Sequence, residues 1–537
     1  MDTKIMRAEL QAQMTNRSNI EQTWEYIQRF IMPYRGNFFQ EVNQESSVNW
    51  RTGRNIYDST AVVACQTLAA SLHASLTSMA VRWFDLRWGR KELNDDETAH
   101  RWMENAAGIV YEAIQNSNFD LEASETYLDI VGFGSSIIFE EVTDEGEGDV
   151  NFMSVPVQQG YPIVGHDGQC ERFYRVFNWT PSEIYSKFGD DTPSKYREMH
   201  ESGKNDERHK IVFAIWKRKD KKSNEGRAPL AGKERYIGYK YFEFESCDQI
   251  GEEQGYYEMP VFIPRWRRTN DSQWGNGPAM VALPDVMTLN ALVEMVLQAA
   301  EKVIDPANLV RERDLISDLD LSAGGMTVVR DIEGVKPYES RARFDVSQLR
   351  IGELQSSINR VFYVDQLELK DSPAMTATEV QVRYELMQRL LGPTLGRMKT
   401  DFLDPLIQRT FNAKYRAGKL GELPPGATID DIYAVEYTGP FARAQKIDTA
   451  RSAMEWLAYL AQVAELYPEA LDIPDIDNIS RGLAKLTSVP IEFIKNETKV
   501  KTERKKRQEQ QQAQQQAMMA EQQSKAELNM AKAEGQQ

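Results

Sequence analysis

The strongest constraint on the fold is that the strand-forming sequence is confined to one stretch, Gly134 to Ile263. Turn residues there separate short runs rich in β-branched and aromatic residues, and these runs are Ser136–Val142, Val150–Val155, Arg172–Val176, Ile211–Trp216, Tyr236–Glu245 and Met259–Pro264. A single helix from about Ser182 to Phe188 interrupts them. Segments with helical periodicity lie on both sides, so the sequence predicts an α+β fold, predominantly helical, with a mostly antiparallel sheet.

The helical segments are marked by apolar or small residues at helical spacing, and the first of them also lacks Gly and Pro. Before the strand-rich stretch, this pattern predicts helices over Arg7–Met32, Asp58–Met79, Asp95–Asn116 and Leu121–Val131. Two short segments predict isolated strands. Val81–Trp88 alternates apolar and polar residues over part of its length, and Tyr433–Tyr437 is rich in strand-forming residues.

Helices return after the strand-rich stretch. Asp285–Ile304 carries apolar residues at i, i+3, i+4 and i+7 and would span roughly 30 Å. Val346–Tyr363 predicts a second helix, and the segment between the two is irregular except for the strand-like Met326–Val329. A long helix over Thr376–Arg416 contains Gly392-Pro393, so we expect a kink near Leu391.

Three further helices are predicted towards the C-terminus, at Ala442–Leu466, at Ile476–Leu486 and from about Ile491 onward. The chain then becomes low in complexity: Lys499–Arg507 holds six basic residues and one acid, and Gln508–Gln537 holds eleven glutamines. A solvated helix or a disordered tail is the simplest interpretation of this last part.

The charge balance disfavours a conventional DNA-binding factor. The chain has 64 Lys and Arg against 81 Asp and Glu, a net charge of -17, whereas proteins that wrap nucleic acid through its phosphates are basic. Its three cysteines are too few and too scattered for a disulfide framework, and they suit a reducing compartment. The N-terminus lacks the layout of a signal peptide, and no run of about 18 uninterrupted apolar residues occurs, so we expect a soluble protein without a membrane-spanning helix.

A search for catalytic and cofactor motifs gives no candidate. The chain has no phosphate-binding loop, no H-E-x-x-H pair and no nucleophile elbow. Gly132-Phe133-Gly134 and Gly275-Asn276-Gly277 begin like a dinucleotide fingerprint but lack its third glycine. The carboxylate pairs Asp318/Asp320 and Asp475/Asp477 are more consistent with surface positions than with metal sites. We therefore expect no enzyme activity, no cofactor and no metal.

Four stretches resemble the portal proteins, or head-to-tail connectors, of short-tailed double-stranded DNA bacteriophages. The most specific is Met375–Val380 with Arg383, Leu391-Gly392-Pro393 and Asp404–Ile407. The other three are Trp274–Ala279 leading into Leu283–Asn290, Tyr437–Gln445, and Leu68–Ser78 leading to Trp83-Phe84. They extend from about residue 60 to about residue 450 in the order found in the family.

The resemblance implies the portal fold, a ring of typically twelve copies around a central channel. It assigns residues 1–284 to the wing, 285–305 and 346–364 to two stem helices, 306–345 to the clip and 365–375 to the tunnel loop. Residues 376–436 would form the kinked helix and the return to the wing, and residues 437–498 the crown. The basic and Gln-rich tail, 499–537, is not part of the pattern.

The resemblance also implies a function and partners. The ring would be the conduit at one capsid vertex through which genomic DNA is packaged and ejected. It would be present in the host cytoplasm during assembly and in the virion afterwards. Its expected partners are further copies of itself, the terminase large subunit, tail adaptor and tail-tube proteins, the major capsid and scaffold proteins, and double-stranded DNA through transient contacts, with no membrane partner.

Three groups of residues are candidates for these contacts. Candidates for the DNA channel lie in the tunnel loop and are Asp365, Gln366, Glu368, Lys370 and Asp371. Candidates for clip docking form a mixed-charge run, Arg311, Glu312, Arg313 and Asp314. Candidates in the basic tail, which could contact packaged DNA or help nucleate capsid assembly, are Lys499, Lys501, Arg504, Lys505, Lys506 and Arg507.

Two other functions stay open on the sequence alone. The chain could be another virion component, such as an internal or tail-tube protein, or a cytosolic enzyme whose active site is assembled from distant residues.

The acidity of the chain fits a DNA conduit. Each phosphate that Lys or Arg neutralises adds affinity, so a strongly basic channel would hold the duplex. Of the loop residues, Lys370 is the one cation expected to touch phosphate during passage.

Overall fold

The computed structural model describes most of the chain up to residue 510. The described residues are 2–35, 56–78, 82–142, 148–165, 168–204, 206–218, 232–269, 272–304, 308–310, 316, 328, 330–331, 335–337, 344–367, 391–428, 434–437, 440–467, 473–486, 500, 502–507 and 509–510. The chain forms two compact units, Met1–Gly439 and Pro440–Gln537.

The first unit begins with helices at the predicted places. The five helices before the sheets are α1 Thr3–Phe30, α2 Thr60–Leu76, α3 Lys91–Asp95, α4 Glu97–Gln115 and α5 Phe119–Phe133. The side chain of Asp96 caps α4 by accepting from the backbone N–H of Ala99 at 3.0 Å, as the acidic run before this helix favours. Between α2 and α3 lies strand β1, Phe84–Arg87, which is the predicted isolated strand.

The strand-rich stretch forms two antiparallel sheets. Its strands are β2 Ile137–Val142, β3 Val150–Val155, β4 Gly160–Val164, β5 Cys170–Trp179, β6 His209–Lys217, β7 Ile237–Glu243, β8 Gln249–Tyr256 and β9 Val261–Phe262. The sheet orders are β3-β2-β9 and β4-β5-β6-β7-β8, and every pairing between described strands is antiparallel. The predicted antiparallel sheet is therefore confirmed, together with the helix α6 at Pro181–Phe188 and a further helix, α7, at Ser194–Glu201.

Helix α1 packs across the five-stranded sheet. Met6 and Leu10 on α1 are fully buried in one cluster with Tyr174, Val212 and Phe242 of the sheet. Burying each large apolar side chain stabilises the fold by about 1.5–3 kcal/mol, so this helix–sheet contact is a main source of stability in the first unit.

The two Gly-x-Gly motifs lie against each other, which explains why both have small residues. Gly134 adopts a left-handed φ of 75° at the end of α5, and a Cβ there would lie 2.5 Å from the carbonyl oxygen of Gly275. A Cβ on Gly277 would lie 2.9 Å from the Cα of Gly134. The glycines allow two backbones to cross, and this crossing fixes the chain just before the long helix that follows.

That long helix is followed by a second one. Strands β10 Arg268–Thr269 and β11 Ser272–Gly275 form a hairpin that leads into α8, Pro278–Ile304. Strands β12 Asn308–Val310 and β13 Val335–Pro337 pair with each other, and α9 follows at Phe344–Val361, with one more helical turn, α10, at Val364–Leu367. Of the predicted strand Met326–Val329 only Val328 is described, and it is not in a strand.

The first unit closes with a helix and a strand that return to its start. Residues 391–398 are α-helical, Lys399–Leu403 form a π-helix, and α11 spans Asp404–Arg416. Strand β14, Ala434–Tyr437, then pairs with β1, with Phe84 opposite Tyr437. Both strands were predicted, and their pairing joins residues that are some 350 positions apart.

The second unit is helical where it is described. Its helices are α12 Pro440–Leu466 and α13 Ile476–Leu486, and residues 502–507 are also helical. Both long helices agree with the prediction, the second at both ends.

Candidate functional site

Helices α8 and α9 form a hairpin that is anchored near its base by polar contacts. The Ser357 hydroxyl on α9 donates to Asp285 Oδ2 on α8 at 2.8 Å. The segment before α2 reaches both helices: the Tyr57 backbone N–H donates to Asn290 Oδ1, and Gln355 Nε2 donates to Asp58 Oδ2, each at 2.8 Å. The hairpin is thereby fixed to the N-terminal helices at its base.

Further from its base, α8 exposes apolar side chains. Its buried residues end at Asn290, although the apolar pattern continues to the last turn. Met295 and Leu297 are 60% and 52% exposed, and Ile304 is 83% exposed. On α9, Leu349 is 69% exposed. A single chain leaves this surface uncovered, which is typical of a protein–protein contact site.

By length and composition, α8 could also cross a membrane. The sequence pattern did not mark α8 as such a helix, because polar residues interrupt its apolar run. Helices packed inside soluble proteins meet the same criteria. Ala279, Ala282, Leu283 and Val286 on α8 are indeed buried within the protein.

The candidate channel residues begin in a helical turn and not in a loop. Tyr363 has a left-handed φ of 59° between α9 and α10, and it is flanked by the buried Phe362 and Val364. Asp365 and Gln366 lie in α10, with Asp365 exposed. The remaining candidates of this group, Glu368, Lys370 and Asp371, lie outside the described residues.

The clip candidates Arg311, Glu312, Arg313 and Asp314 also lie outside the described residues. The β12–β13 pair brackets this segment, since Asn308 lies opposite Pro337 and Val310 opposite Val335. The segment between α8 and α9 is thus closed by a short antiparallel pair near its two ends.

The helix after the predicted tunnel loop is irregular at Lys399–Leu403, where it is a π-helix. The kink expected near Leu391 involves residues before 391, which lie outside the described residues. A π-bulge and the Asp404-Pro405 pair are both common causes of a helix bend, so an irregularity is present some ten residues after the predicted place.

A buried cluster of polar side chains fixes α11 to the three-stranded sheet. Glu140 on β2 is fully buried, and its Oε1 accepts a hydrogen bond from the Thr410 hydroxyl at 3.0 Å. Its Oε2 lies 3.6 Å from Arg409 Nε, while Arg409 Nη1 donates to the Glu258 carbonyl oxygen at 2.6 Å. Burial raises the pKa of Glu140 to about 8, although Arg409 and Thr410 lower it. A carboxyl so deeply enclosed has a structural role here.

The basic tail has one fixed cation among those described. Arg504 donates to both carboxylate oxygens of Asp477, at 2.5 and 2.6 Å. Lys505, Lys506 and Arg507 are helical and exposed, while Lys499 and Lys501 lie outside the described residues. Arg504 therefore engages the chain's own carboxylate.

Helix α12 presents a row of exposed large side chains. Trp456, Tyr459 and Val463 on α12, and Tyr467 directly after its last residue, follow each other at spacings of three and four residues and are between 43% and 69% exposed. They share one helix face, so the second unit, like the α8–α9 hairpin, leaves an apolar surface uncovered.

The described residues contain no group of three or more His, Cys, Asp or Glu side chains that could hold a metal ion. The contacts that sequence reasoning missed are those of Tyr57, Asp58 and Asn290. The only sequence signal for these contacts is the polar residue Asp58 before a helix of small residues. Helix capping explains an aspartate at that position equally well.

The family model for the bacteriophage head-to-tail connecting protein matches residues 4–494, and the chain belongs to this family. It is 28% identical over 504 residues to the probable portal protein of Bordetella phage BPP-1, covering 91% of this chain and 88% of that protein. It is 24% identical over 490 residues to the portal protein of Salmonella phage epsilon15, covering 89% of this chain and 86% of that protein.

These similarities extend over nearly the whole chain, and the family model reaches residue 494, before the helical residues 502–507. They support a phage portal function and favour it over the internal or tail-tube component and the enzyme that the sequence left open. The family is structural.

Proposed function

We propose that the chain assembles into a ring at one capsid vertex and that genomic DNA passes through the central channel during packaging and ejection. The observation that carries this proposal is the α8–α9 hairpin. It is anchored at one end by Asp285, Asn290 and Asp58 and exposes apolar side chains towards the other. Such a surface needs a partner, and neighbouring copies in a ring provide one along the whole hairpin.

The elements take the following places in the proposed ring. Residues 1–284 form the wing, α8 and α9 form the stem, and residues 306–345 form the clip. Residues 365–375 form the tunnel loop, with α10 as its first turn. Residues 437–498 form the crown, where the aromatic row on α12 would face another copy.

The charge of the chain suits a conduit for DNA. Twelve copies of a chain with a net charge of -17 give a ring that repels the phosphate backbone, so the duplex can slide. Lys370 would make transient contact with phosphate during passage. Replacing Lys370 with Ala or Glu should shorten or destabilise packaged DNA, and unchanged packaging and retention would remove this role.

The proposed partners follow from the same position at the vertex. The clip, with Arg311 to Asp314, would dock the terminase large subunit during packaging and the tail adaptor afterwards. Major capsid and scaffold proteins would surround the wing. In this arrangement ATP hydrolysis belongs to the terminase, so the ring itself acts without catalysis, first in the host cytoplasm and then in the virion.

The basic tail has two proposed roles, which one experiment separates. Lys505, Lys506 and Arg507 could contact packaged DNA, or the tail could help scaffold protein nucleate the capsid. Truncation after Thr498 should lower DNA content in the first case and the yield of procapsids in the second. If both survive, the tail is dispensable.

The ring proposal is tested by placing a charge on the exposed apolar surface. Met295→Glu should leave the folded chain intact, because Met295 is 60% exposed, but should prevent ring formation by placing a carboxylate between copies. The matched control is Gln22→Glu, which adds the same charge at an exposed position on α1. Mass photometry should show large rings for the control and monomers for Met295→Glu; rings of equal stability in both would contradict the stem assignment.

A further inference from the structure

Three arginines meet where the first unit's sheet region contacts the π-helix. Arg265 directly follows the three-stranded sheet, Arg268 begins β10, and Arg397 lies just before the π-helix that contains Asp401. Arg265 Nη2 lies 3.5 Å from Asp401 Oδ2 and donates to the Gly168 carbonyl oxygen at 3.1 Å. The Arg268 guanidinium lies at the same turn, since a Cβ on Gly168 would be 3.0 Å from its Nη1.

The cluster has more positive than negative charge. Burial lowers the pKa of Arg265. The positive charges of Arg268 and Arg397 lower this pKa further, whereas the carboxylate of Asp401 raises it. The same three arginines lower the pKa of Asp401, against a larger rise due to burial. Arg268, Arg397 and Asp401 are therefore each within electrostatic reach of Arg265, and within the described part of the chain three guanidinium groups act on the carboxylate of Asp401.

Several N–H donors of these arginines have no hydrogen-bond acceptor among the described residues. Arg265 is 4% exposed, and its Nε and Nη1 have no acceptor among the described residues. Burying such donors without a partner is costly. Arg268, which is exposed, and Arg397, which is half-buried, form no hydrogen bond or ion pair within the described part of the chain. The cluster thus has a buried floor and an open side, and both carry unused donors.

We propose that Arg265, Arg268 and Arg397 form a binding site for a phosphate-class oxyanion, either free phosphate or a phosphodiester of duplex DNA. Guanidinium groups bind such anions through paired N–H donors. A tetrahedral anion can accept from several guanidinium groups on different sides, whereas the two oxygens of a carboxylate lie in one plane. Asp401 holds Arg265 in place and lowers the affinity by repulsion.

This site goes beyond the proposed portal role and does not depend on ring formation. It differs from the candidates found in sequence because its residues come from positions 265 to 401, and only the Arg265-Trp266-Arg267-Arg268 run is visible as a local basic pattern.

The test is equilibrium dialysis of the full chain against radiolabelled inorganic phosphate at constant ionic strength in chloride. We expect one saturable site per chain. The double variant Arg268→Gln/Arg397→Gln should weaken binding about tenfold or more, because two charge-assisted contacts are lost. The matched control Arg29→Gln, which removes an exposed arginine on α1, should leave binding unchanged.

A variant with the opposite effect separates binding from a merely structural role. Asp401→Asn removes the repelling carboxylate and should tighten phosphate binding several-fold, although it weakens the hold on Arg265. The thermal midpoint of each variant in chloride confirms that it is folded. Phosphate binding that is not saturable, or that is equal in the wild type and the double variant, would overturn the proposal, as would an unchanged affinity in Asp401→Asn.

A competition experiment distinguishes the two sources of the oxyanion. An unlabelled duplex of about 30 base pairs is added to the phosphate-loaded protein at the same ionic strength. Displacement of phosphate shows that the site accepts a backbone phosphodiester, and retention shows that it takes the free anion. Both outcomes support an oxyanion site, and neither bears on whether the chain forms a ring.

Discussion

Replacing Glu140 with glutamine should remove a pH-dependent destabilisation of the first unit. Glu140 is fully buried on β2, and burial raises its pKa to about 8, well above the value of about 4.5 in an unfolded chain. Glutamine has the same shape as a protonated glutamic acid side chain. Its amide oxygen can still accept the hydrogen bond that the Thr410 hydroxyl donates to Glu140 Oε1 in the wild type, at 3.0 Å.

The magnitude follows from proton linkage. Between pH 5 and pH 8 the folded protein keeps the proton that the unfolded chain releases, so the contribution of Glu140 to stability is present at low pH and is lost as the pH rises towards 8. The loss is about 1.4 kcal/mol per pH unit, or about 4 kcal/mol over three units.

The effect should be measurable as a shift in the thermal midpoint. The unfolding entropy is about 2.1 cal/mol/K per residue. For a unit of 439 residues that unfolds cooperatively, the thermal midpoint therefore falls by about 1 °C for each kcal/mol of unfolding free energy that is lost. The thermal midpoint of Glu140→Gln should therefore equal that of the wild type at pH 5 and lie about 4 °C above it at pH 8. Differential scanning calorimetry at half-unit pH steps gives both curves.

A matched control isolates the buried position. Glu25→Gln removes an exposed carboxylate on α1 and allows for general changes in net charge. If Glu140→Gln is instead less stable than the wild type at pH 8, then Glu140 is ionised and paired with Arg409 at 3.6 Å, and burial does not keep its carboxyl group protonated.

Two further predictions concern contacts that join distant segments. Gly277→Ala should sharply reduce the yield of folded protein, because the new Cβ would lie 2.9 Å from the Cα of Gly134. The control Gly108→Ala has open space around its Cβ and should be neutral or stabilising by up to about 1 kcal/mol. Soluble expression and thermal midpoints of the two variants measure this difference. Tyr437→Phe removes a 2.5 Å hydrogen bond to Asp404 Oδ1 and should cost about 1.5–3 kcal/mol in urea unfolding; a loss near zero would mean that the β1–β14 pair does not depend on it.

The sequence predicted the helices well, because their apolar spacing and caps are local. Ile476–Leu486 is correct at both ends, and α1 and α2 are correct within a few residues. Two strands of the strand-rich stretch were missed for local reasons, and the short strands β10 to β13 after it were not predicted either. Strand β4 contains Pro162, which is tolerated because β4 lies at the sheet edge, and β8 contains two glycines and several glutamate and glutamine residues.

The functional surfaces were harder to predict because they depend on tertiary contacts. Periodicity showed that α8 has an apolar face, but only the structure shows that burial stops after Asn290. The two Gly-x-Gly motifs resembled part of a cofactor fingerprint, although they are a backbone crossing. No pattern in the sequence links Arg265 to Arg397 or Asp401, which meet only through the fold.

The most direct test of the portal assignment is negative-stain electron microscopy of the purified full-length chain. We expect rings with a central hole wide enough for duplex DNA, and no ATP turnover by the isolated protein. A compact monomer that forms no ring at any concentration, or one that hydrolyses ATP, would contradict this expectation.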